Sequence, residues 1–555
     1  MHTHDDRRLD LKSLLDQLQA DQRLCATDAS RVLEHSARAA DGHPLELIAG
    51  LGLADRQDPG RQLDLDCLCQ WLANKVGQPY LRIDPMQVDL AEVTGLMSAA
   101  FAQRHGILAV AADATGVTIA SAQPYQRDWE ADLAHSLRKP IRRVLASPLR
   151  IRQLGQSLFR LAHSVQRASH QQGTHLGELE QLLELGKRQM ETRAEDAHIV
   201  HIVDWVVQYA IEQRASDIHL EPRRDQGHLR YRIDGLLHAV YAFPVSVTLA
   251  LVSRLKHLAR MNVAEKRRPQ DGRLNSRLPN GREVELRLSS LPTPFGEKLV
   301  LRLFDPNQLH QGFDRLGLDG PLLESWTSLL SQRQGIILVT GPTGSGKTST
   351  LYASLKRLAT PQVNLCTIED PIERLDPSFN QLQVQPGIDL DFASGVRALL
   401  RQDPDIIMIG EIRDHETAQV AVQAALTGHL VLSTLHTNDA CGAITRLQEL
   451  GIADYLLKAT LLGVMAQRLI RTRCQACLGQ GACQDCRSTG FHGRTGLFEL
   501  LVLSDGLRAK ISSGTDLNVL RQQAMAEGMR GLRQYGEDKV ASGQTTLEEV
   551  LRVCS

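Results

Sequence analysis

The chain has 555 residues, of which 42% are hydrophobic and 23% are charged, so it can bury several cores and we expect three or more domains. Lys and Arg number 63 against 64 Asp and Glu, a balance that gives no global attraction to nucleic acid or to anionic lipid. The first residues, MHTHDDRRLD, lack the apolar core of a signal peptide. No apolar run of about 18 residues predicts a transmembrane helix. We therefore expect a cytoplasmic protein that reaches a membrane only through a partner.

Residues 1–165 are predicted to form an N-terminal docking or regulatory domain of mixed structure. DLKSLLDQLQ has helical periodicity, and GILAVAADATGVTIASAQP predicts two strands joined by a turn at residues 113–116. No chemical motif occurs in this part. Residues 166–196 are polar with one helical stretch, which predicts a linker.

Residues 197–310 predict a small α+β domain. IVHIVDWVVQYAIEQ has helical periodicity, whereas HLRYRIDGLLHAVYAF alternates and carries Asp234-Gly235 as a hairpin turn. GREVELRLSSLP and EKLVLRLFDP alternate as well. From residue 311 to 505, apolar strands alternate with helices, as in a parallel α/β sheet with crossover helices. Residues 506–555 are predicted to be helical.

A glycine-rich turn follows the first strand of that sheet. Residues 336–350 read IILVTGPTGSGKTST, and Gly341, Gly346, Lys347 and Thr348 fit the spacing G-x-x-x-x-G-K-[ST] between a strand and a helix. Glycines let backbone N–H groups turn toward phosphate oxygens, and the helix N-terminus favours negative charge. Lys347 would reach the β- and γ-phosphates, and the Thr348 hydroxyl would ligate Mg²⁺. The predicted nucleotide-binding residues are Gly341, Pro342, Thr343, Gly344, Ser345, Gly346, Lys347, Thr348 and Thr350.

Two acidic motifs follow strands that belong beside this turn. TIEDPIE carries Glu369, Asp370 and Glu373, and DIIMIGEIRD carries Glu411. The carboxyl ends of the strands in an open α/β sheet face the ligand, so both motifs can reach the phosphates. Gly410 occupies the place where many nucleotide hydrolases carry the aspartate directed at the metal, and this assigns the metal to Glu411. Either motif alone could be a set of solvated charges at the start of a loop.

Two histidines flank a third strand in TGHLVLSTLHT, namely His429 and His436. A single histidine is more often a core or surface residue than a catalytic one. Because both flank a strand predicted beside the site, they are candidates for a direct role.

Ten cysteines divide into a scattered group and a cluster. Cys474, Cys477, Cys483 and Cys486 have the spacing C-x2-C-x5-C-x2-C, which in a cytosolic protein favours a structural Zn²⁺ held by four thiolates. Reduced thiols or an iron–sulfur site are the alternatives. Small buried hydrophobic side chains are expected for the other six: Cys25, Cys67, Cys69, Cys366, Cys441 and Cys554.

Taken in order and at these spacings, GPTGSGKT, TIEDPIE, GEIRD and TGHLVLSTLHT resemble the secretion ATPases that power type II secretion and type IV pilus assembly. The resemblance also includes RASDIHLEP, RYRIDG, KRRPQDGR and LRLSSLPTPFGEK before the turn, and AQRLIRTRC and GFHGRTGLFELL after it. It covers residues 197–555, whereas the N-terminal part resembles the variable domain of that family only loosely. The implied fold is a RecA-like P-loop ATPase domain, preceded by a PAS-like domain and carrying a zinc element at residues 474–486.

The resemblance also implies roles for particular residues. Glu373 matches the glutamate that activates water, Glu411 the acidic residue of the Walker B motif, and His429 and His436 the histidine box. Arginines of the preceding domain approach the γ-phosphate in that family, and Arg273, Arg287 and Arg302 are the candidates here. An inserted arginine can accelerate phosphoryl transfer by orders of magnitude, although cross-strand charge pairing would also explain these residues. ATP, Mg²⁺ and Zn²⁺ are the implied ligands.

The implied protein is a hexameric motor on the cytoplasmic face of the bacterial inner membrane. It would work with a membrane-bound recruiter and a polytopic platform protein to assemble a pilus or pseudopilus. A retraction motor of the same superfamily is an alternative, but such motors usually lack the long N-terminal region and the four cysteines. A slow nucleotide-gated regulator and a DNA-handling ATPase are further alternatives. The charge balance and the 4% aromatic content give no sign of nucleic-acid binding.

Overall fold

A computed structural model of the chain describes residues 6–36, 42–57, 62–83, 88, 90–170, 197–277, 283–304, 312–480, 483, 485–512, 514 and 516–554. It divides into two compact units, Met1–Leu303 and Phe304–Ser555. The predicted linker falls on the chain outside the described residues, except for residues 166–170, which continue a helix.

The first unit contains ten described helices and nine described strands. The helices are α1 (Leu11–Ala20), α2 (Ala26–Ser36), α3 (Pro44–Ala49), α4 (Leu65–Val76), α5 (Leu90–Thr94), α6 (Ala99–His105), α7 (Glu130–Leu137), α8 (Pro148–His170), α9 (Ala197–Glu212) and α10 (Val245–Leu258). The strands are β1 (Ile107–Asp113), β2 (Gly116–Ser121), β3 (Ile141–Leu145), β4 (Asp217–Pro222), β5 (Gln226–Ile233), β6 (Leu236–Pro244), β7 (Gln270–Arg277), β8 (Glu283–Thr293) and β9 (Gly296–Phe304).

The N-terminal part of this unit combines a helical cluster with a small sheet. Helices α1 to α4 bury leucines around Trp71. Strands β1 and β2 pair antiparallel, with Asp113 opposite Gly116, so the hairpin predicted from the sequence is confirmed. Strand β3 joins β2 in parallel, giving the order β1-β2-β3.

A six-stranded sheet of order β6-β5-β4-β9-β8-β7 makes up the rest of the unit. The predicted hairpin at Asp234-Gly235 is present, because Ile233 pairs with Leu236 at its end. The predicted helix is present as α9. Alternate side chains of β4, among them Ile218 and Leu220, are buried in one core with α9 and α10, as period-2 strands against helices require.

The second unit contains eleven described α-helices and seven described strands. The helices are α11 (Phe313–Leu316), α12 (Gly320–Leu330), α13 (Lys347–Leu358), α14 (Phe392–Leu399), α15 (His415–Leu426), α16 (Gly442–Glu449), α17 (Asp454–Thr460), α18 (Asp505–Lys510), α19 (Leu517–Ala526), α20 (Leu532–Ala541) and α21 (Leu547–Cys554). The strands are β10 (Gly335–Thr340), β11 (Leu365–Glu369), β12 (Asn380–Gln383), β13 (Ile406–Ile409), β14 (Leu430–Leu435), β15 (Leu461–Arg473) and β16 (Phe491–Val502), and a 3₁₀ turn spans Pro386–Ile388.

One seven-stranded sheet organises this unit, in the order β12-β11-β13-β14-β10-β15-β16. Strands β10 to β15 pair in parallel, and β10, β11, β13 and β14 are buried along their whole length. Parallel strands are joined by crossover helices, which cover both faces of the sheet. This burial on both faces explains why the strands are continuous apolar runs. The predicted α/β sheet is therefore confirmed.

A long antiparallel pair, β15 with β16, ends the sheet and was not predicted from the sequence. The pair runs in register from Gly463 opposite Val502 to Arg471 opposite Arg494. The four-cysteine segment lies between these two strands in the chain. Among the helices that the structure describes, none has the length and apolar character that crossing a bilayer requires.

A buried ion pair supports the six-stranded sheet and generates a stability prediction. The Lys256 ammonium of α10 lies 2.6 Å from Glu297 Oε1 of β9 and donates to the Glu265 carbonyl at 2.7 Å, with the two charged side chains 0% and 4% exposed. Replacing Lys256 by Met leaves the Glu297 carboxylate buried without its cation, which typically costs about 3–5 kcal/mol.

We expect Lys256→Met to unfold at a clearly lower temperature than the wild-type chain, and Lys256→Met/Glu297→Leu to recover much of the loss. Thermal unfolding followed by circular dichroism ranks the three proteins. A double variant that is no more stable than the single one would contradict this account of the pair.

Candidate functional site

The site forms where four parallel strands of the second unit end. Strand β10 pairs with β14 so that Thr340 lies opposite Leu435, and β13 pairs with β14 so that Ile409 lies opposite Ser433. The residues that follow these strands therefore share one edge of the sheet. The glycine-rich turn follows β10, TIEDPIE ends β11, GEIRD follows β13, and His436 follows β14.

The turn between β10 and α13, which we call the phosphate loop (residues 341–348), has a backbone that requires glycine. Gly344 and Gly346 have φ of 79° and 89°, a region that side chains other than glycine rarely adopt. A Cβ atom on Gly341 would lie 2.4 Å from the carbonyl oxygen of Gln467, on the neighbouring strand β15. The loop is thus wrapped tightly against β15, and its N–H groups lead directly into the N-terminus of α13.

Lys347 is buried inside this loop and donates to its carbonyl groups. Its Nζ lies 2.8 Å from the Gly341 oxygen and 3.2 Å from the Pro342 oxygen. Burial lowers the pKa of Lys347 to about 8, the Glu411 carboxylate acts against this shift, and Arg468 adds to it. The ammonium is therefore incompletely compensated by the protein and is suited to an anionic ligand.

Two hydroxyls of the loop region differ in what they contact. Ser345 Oγ is buried and has no hydrogen-bond partner among the described residues, which fits a group held for phosphate oxygens. By contrast, Thr350 Oγ1 donates to Gln467 Oε1 at 2.7 Å and is fully buried, so it is engaged in packing α13 against β15. Thr348 is half-buried at the start of α13.

Glu411 follows β13 and contacts an arginine and a histidine. Arg413 donates to Glu411 Oε1, and the hydrogen bond raises the pKa of the arginine. His436 Nε2 lies 3.3 Å from Glu411 Oε2. The carboxylate is thus within electrostatic reach of Lys347 and in contact with the residue that follows β14, as a group that supports a metal beside the phosphates needs to be.

The two glutamates of TIEDPIE have different environments. Glu369 is buried, and its carboxylate accepts from Thr367 at 2.7 Å and from Tyr352 at 2.6 Å. Burial, followed by this carboxylate, raises the pKa of the Tyr352 hydroxyl. Glu373 is half-buried four residues beyond the end of β11. Glu369 therefore anchors the segment, and Glu373 is the carboxylate more open to substrate and water.

The two candidate histidines lie at opposite ends of β14. His436 follows the carboxyl end of the strand, whereas His429 precedes its amino end, and the His429 carbonyl accepts from the Gly335 N–H at the start of β10. At about 3.3 Å per residue, the six residues between them span roughly 20 Å. The His429 ring contacts the Ala424 carbonyl and the Thr427 hydroxyl. The structure thus brings His436 to the site edge and does not bring His429 there.

The three candidate arginines lie on the six-stranded sheet of the first unit. Arg273 and Arg287 are direct cross-strand partners. Arg273 Nη1 lies 3.9 Å from Glu285 Oε1, and Arg287 Nε lies 3.4 Å from the same oxygen. Arg302 pairs with Asp217 at 3.1 Å, and its side chain is 55% exposed. Cross-strand charge pairing is therefore present at all three arginines, and the exposed Arg302 side chain is the one most accessible to a further partner.

The four clustered cysteines come together at the tip of the β15–β16 pair. Cys474 Sγ lies 3.4 Å from Cys483 Sγ, and Cys477 Sγ lies 3.6 Å from Cys486 Sγ. All four sulfur atoms lie within 4.8 Å of one another. Tetrahedral Zn–S bonds of about 2.3 Å place sulfur atoms about 3.8 Å apart. This donor set fits zinc, and it leaves no position for substrate.

Several residues of the site were missed by sequence reasoning. Tyr352 and Gln381 hold Glu369, Arg413 holds Glu411, and Gln467 lies under the phosphate loop. Arg413 belongs to the motif GEIRD and could have been singled out for its charge, and Gln467 belongs to AQRLIRTRC. Tyr352 and Gln381 give no signal, because their role depends on which elements are neighbours.

Comparison with known proteins gives two matching family models. The family described as "Type II/IV secretion system protein" matches residues 192–552, and the MshEN domain matches residues 76–165. The chain is similar to the type IV pilus assembly ATPase TfpB of Acinetobacter baylyi, with 48% identity over 98% of each chain. It is 37% identical to the type IV pilus assembly ATPase PilB of Myxococcus xanthus, over 87% of this chain and 90% of that one.

Relatives from type II secretion match a smaller part of the chain. The type II secretion system protein E of Dickeya dadantii is 45% identical over 65% of this chain and 76% of its own length. Among solved structures, the ATPase DotB of Yersinia pseudotuberculosis superimposes with a TM-score of 0.51 at 21% identity, over 65% of this chain and 95% of that one. At this identity the likeness shows a shared fold and nothing further.

The lowered pKa of Lys347 generates a prediction about nucleotide binding. At pH 8 a substantial fraction of the ammonium groups is neutral in the free protein, and a bound phosphate favours the charged form. ADP binding is therefore expected to take up a fraction of a proton at pH 8, and affinity should fall as the pH rises further. Calorimetric titration in two buffers with different ionisation enthalpies measures this uptake.

Lys347→Arg is the matched control, because a guanidinium stays charged over this range. In that variant, residue 347 should take up no proton on ADP binding, so it should add no buffer dependence to the binding enthalpy. An enthalpy of ADP binding that is independent of the buffer in the wild-type chain at pH 8 would contradict the prediction.

Proposed function

Because this chain belongs to the family of type II/IV secretion system proteins, whose members hydrolyse ATP, we propose that it is a motor that drives filament assembly. The filament is a type IV pilus or a related pseudopilus. One observation carries the assignment, namely the 48% identity to a type IV pilus assembly ATPase that extends over 98% of both chains. The retraction alternative is not favoured, since the relatives named above are assembly or secretion proteins.

Pilus extension is the branch that the comparisons favour. The two pilus assembly ATPases match 98% and 87% of this chain, and these alignments include much of the N-terminal region. The type II secretion relative matches 65% of it. Since the N-terminal region would select the partner at the membrane, its similarity is the better guide to the cargo. Type II secretion is the second candidate.

Nucleotide binding is assigned to the phosphate loop. The N–H groups of residues 341–348 and the start of α13 would hold the phosphates, and Ser345 Oγ supplies a buried donor. Lys347 would exchange its carbonyl partners for the β- and γ-phosphate oxygens. Thr348 and Glu411 are the residues that would hold Mg²⁺, which neutralises charge on the phosphates when it is bound.

Water activation is assigned to Glu373. This carboxylate can accept a proton from water, while Glu369 fixes the segment through Thr367 and Tyr352. His436 and Arg413 hold Glu411 by its two oxygens and so fix its orientation. The protein groups thereby provide positioning and charge, which supply most of the rate in phosphoryl transfer.

Arg273, Arg287 and Arg302 are proposed to approach the γ-phosphate from the first unit. A catalytic arginine on a separate body makes hydrolysis depend on closure, and closure can then act as the mechanical stroke.

We further propose that six copies assemble into a ring, docked on the cytoplasmic face of the inner membrane by a recruiter and a polytopic platform protein. The supporting features are the separation into two compact units and the family membership.

Zn²⁺ is proposed to bind Cys474, Cys477, Cys483 and Cys486 as a structural ion. The spacing of the four sulfur atoms supports it, and three of these side chains are buried. Zinc would tie the ends of β15 and β16 together at the tip of the pair. That tip is the part of the second unit that we expect to contact the membrane partner.

The proposed activity is tested by ATP hydrolysis of the purified full-length chain. Glu373→Gln removes the base and leaves the phosphate loop intact, so we expect a loss of about 10²-fold or more in kcat with ADP affinity kept. Lys347→Ala should abolish both binding and turnover. Glu324→Gln, on the exposed side of α12, is the matched control and should turn over ATP like the wild type.

Oligomeric state is measured in parallel by light scattering, because the proposed motor works as a ring of six copies. Activity that rises as the protein assembles supports the motor. A wild-type chain that binds ADP but turns over no ATP in any oligomeric state would point to the slow nucleotide-gated regulator.

Zinc content gives an independent prediction. Metal analysis of the wild-type chain is expected to find one zinc per chain, and Cys477→Ser should lose it and unfold at a lower temperature. Cys25→Ser, outside the cluster, should keep it. Visible absorption with iron in the sample would identify an iron–sulfur site instead, and a chain free of metal with four titratable thiols would identify reduced cysteines.

A further inference from the structure

The loop that joins β14 to α16 connects the site edge with the C-terminal helices. We call residues 436–441 the junction loop. On the site side, His436 Nε2 lies 3.3 Å from Glu411, as described above. The Thr437 N–H donates to Thr340 Oγ1 at 2.8 Å, and the two threonine hydroxyls are 2.7 Å apart. Since Thr340 is the last residue before the phosphate loop, the junction loop touches two parts of the nucleotide site.

Glu499 of β16 anchors the same loop to the start of α20. Its Oε1 accepts from the Ala440 N–H at 2.8 Å, and its Oε2 accepts from the Leu532 N–H at 3.3 Å. The residue is buried, and burial raises its pKa, with the nearby Asp439 adding to the shift. A buried carboxylate needs such donors, so the two amides and the carboxylate hold one another in place.

Arg521 of α19 forms the second anchor. Its Nη2 lies 2.5 Å from Asp439 Oδ2, and Asp439 Oδ1 accepts from the Gly442 N–H at the start of α16. The arginine side chain is 41% exposed and the aspartate 24%. A pair with this much exposure contributes little to stability, so its loss should leave the fold intact.

A third contact ties the junction loop to the strand beside the phosphate loop. Arg468 of β15 donates through Nη2 to the Asn438 carbonyl at 2.8 Å. Its Nη1 would lie 3.1 Å from a Cβ on Gly341. Successive residues of the junction loop therefore contact β10, β15, β16 and α19.

We propose that Arg521 and Glu499 are positioning residues, which hold the junction loop so that His436 meets Glu411 and thereby couple the C-terminal helices to ATP turnover. Displacement of α19 or α20 would move the loop and withdraw His436 from the carboxylate. The helices would in this way control the rate of hydrolysis without touching the nucleotide. This inference rests on the proposed function, since it assigns Glu411 to the nucleotide site.

Kinetics of full-length variants test the coupling. Because a misplacement of about 1 Å can cost up to a hundredfold in rate, we expect Arg521→Ala to lower kcat about tenfold, with KM for ATP changed less than about twofold. Arg521→Lys, which keeps the charge, should recover part of the rate. Arg533→Ala removes an exposed arginine of α20 paired within its own helix, and should match the wild type.

A double-mutant cycle shows whether Arg521 acts through His436. If it does, Arg521→Ala should change kcat by less than about twofold in a His436→Ala background. The same tenfold effect in both backgrounds would overturn the proposal, because Arg521 would then act by another route. Equal rates for wild type and Arg521→Ala would overturn it as well.

Hydrogen exchange gives a readout that does not depend on turnover. A peptide covering residues 436–445 should exchange faster in Arg521→Ala than in the wild type or in Arg533→Ala, with unchanged exchange in the strands. Unchanged exchange in that peptide rejects the anchor. A wild-type chain without ATPase activity would refute the proposed function, whereas exchange would still decide whether Arg521 holds the loop.

Discussion

Parallel pairing of β10 with β14 is the constraint on which the site depends. The register from Gly335 opposite Leu430 to Thr340 opposite Leu435 places the phosphate loop and His436 at the same level of the sheet. Strand β13 pairs with the other side of β14, which brings Glu411 to the same edge. A one-residue shift of β14 against its two neighbours would reverse which of its side chains face each helix layer and would separate His436 from Glu411. The fully buried apolar strands therefore specify the chemistry indirectly, by fixing where each strand ends.

The sequence was informative where a local pattern has a physical requirement. The phosphate loop could be predicted because its backbone needs glycine at Gly344 and Gly346, and the hairpin at Asp234-Gly235 because its turn does. Buried parallel strands could be predicted from apolar runs separated by helices. The assignment of Glu411 to the edge followed from the same reasoning, since a residue after a parallel strand must lie at the carboxyl end.

Sequence was uninformative where the result depends on neighbours distant in the chain. His429 and His436 flank the same strand, but only the second lies at its carboxyl end, so the symmetry of TGHLVLSTLHT gives no guide to which one meets Glu411. Thr350 lies three residues after Lys347, yet its hydroxyl is engaged by Gln467, a residue 117 positions away. Arg521 belongs to no motif, and GFHGRTGLFELL contains Glu499 without showing what it contacts, because the partners of both residues are determined by the packing of β16 and α19 against the junction loop.

The buried charges of the second unit differ in how completely the protein satisfies them, and this difference separates structure from function. Glu369 and Glu499 each accept hydrogen bonds at both oxygens from groups of the protein, so they stabilise a fixed geometry. Lys347 has carbonyl partners, a lowered pKa and an incomplete counter-charge. A cation left in that state gains most from an arriving phosphate, whereas the satisfied carboxylates gain nothing. The fixed carboxylates thus hold the surrounding loops in place, and in the proposed nucleotide site a bound phosphate would act at the phosphate loop, next to the contact of Thr340 with Thr437.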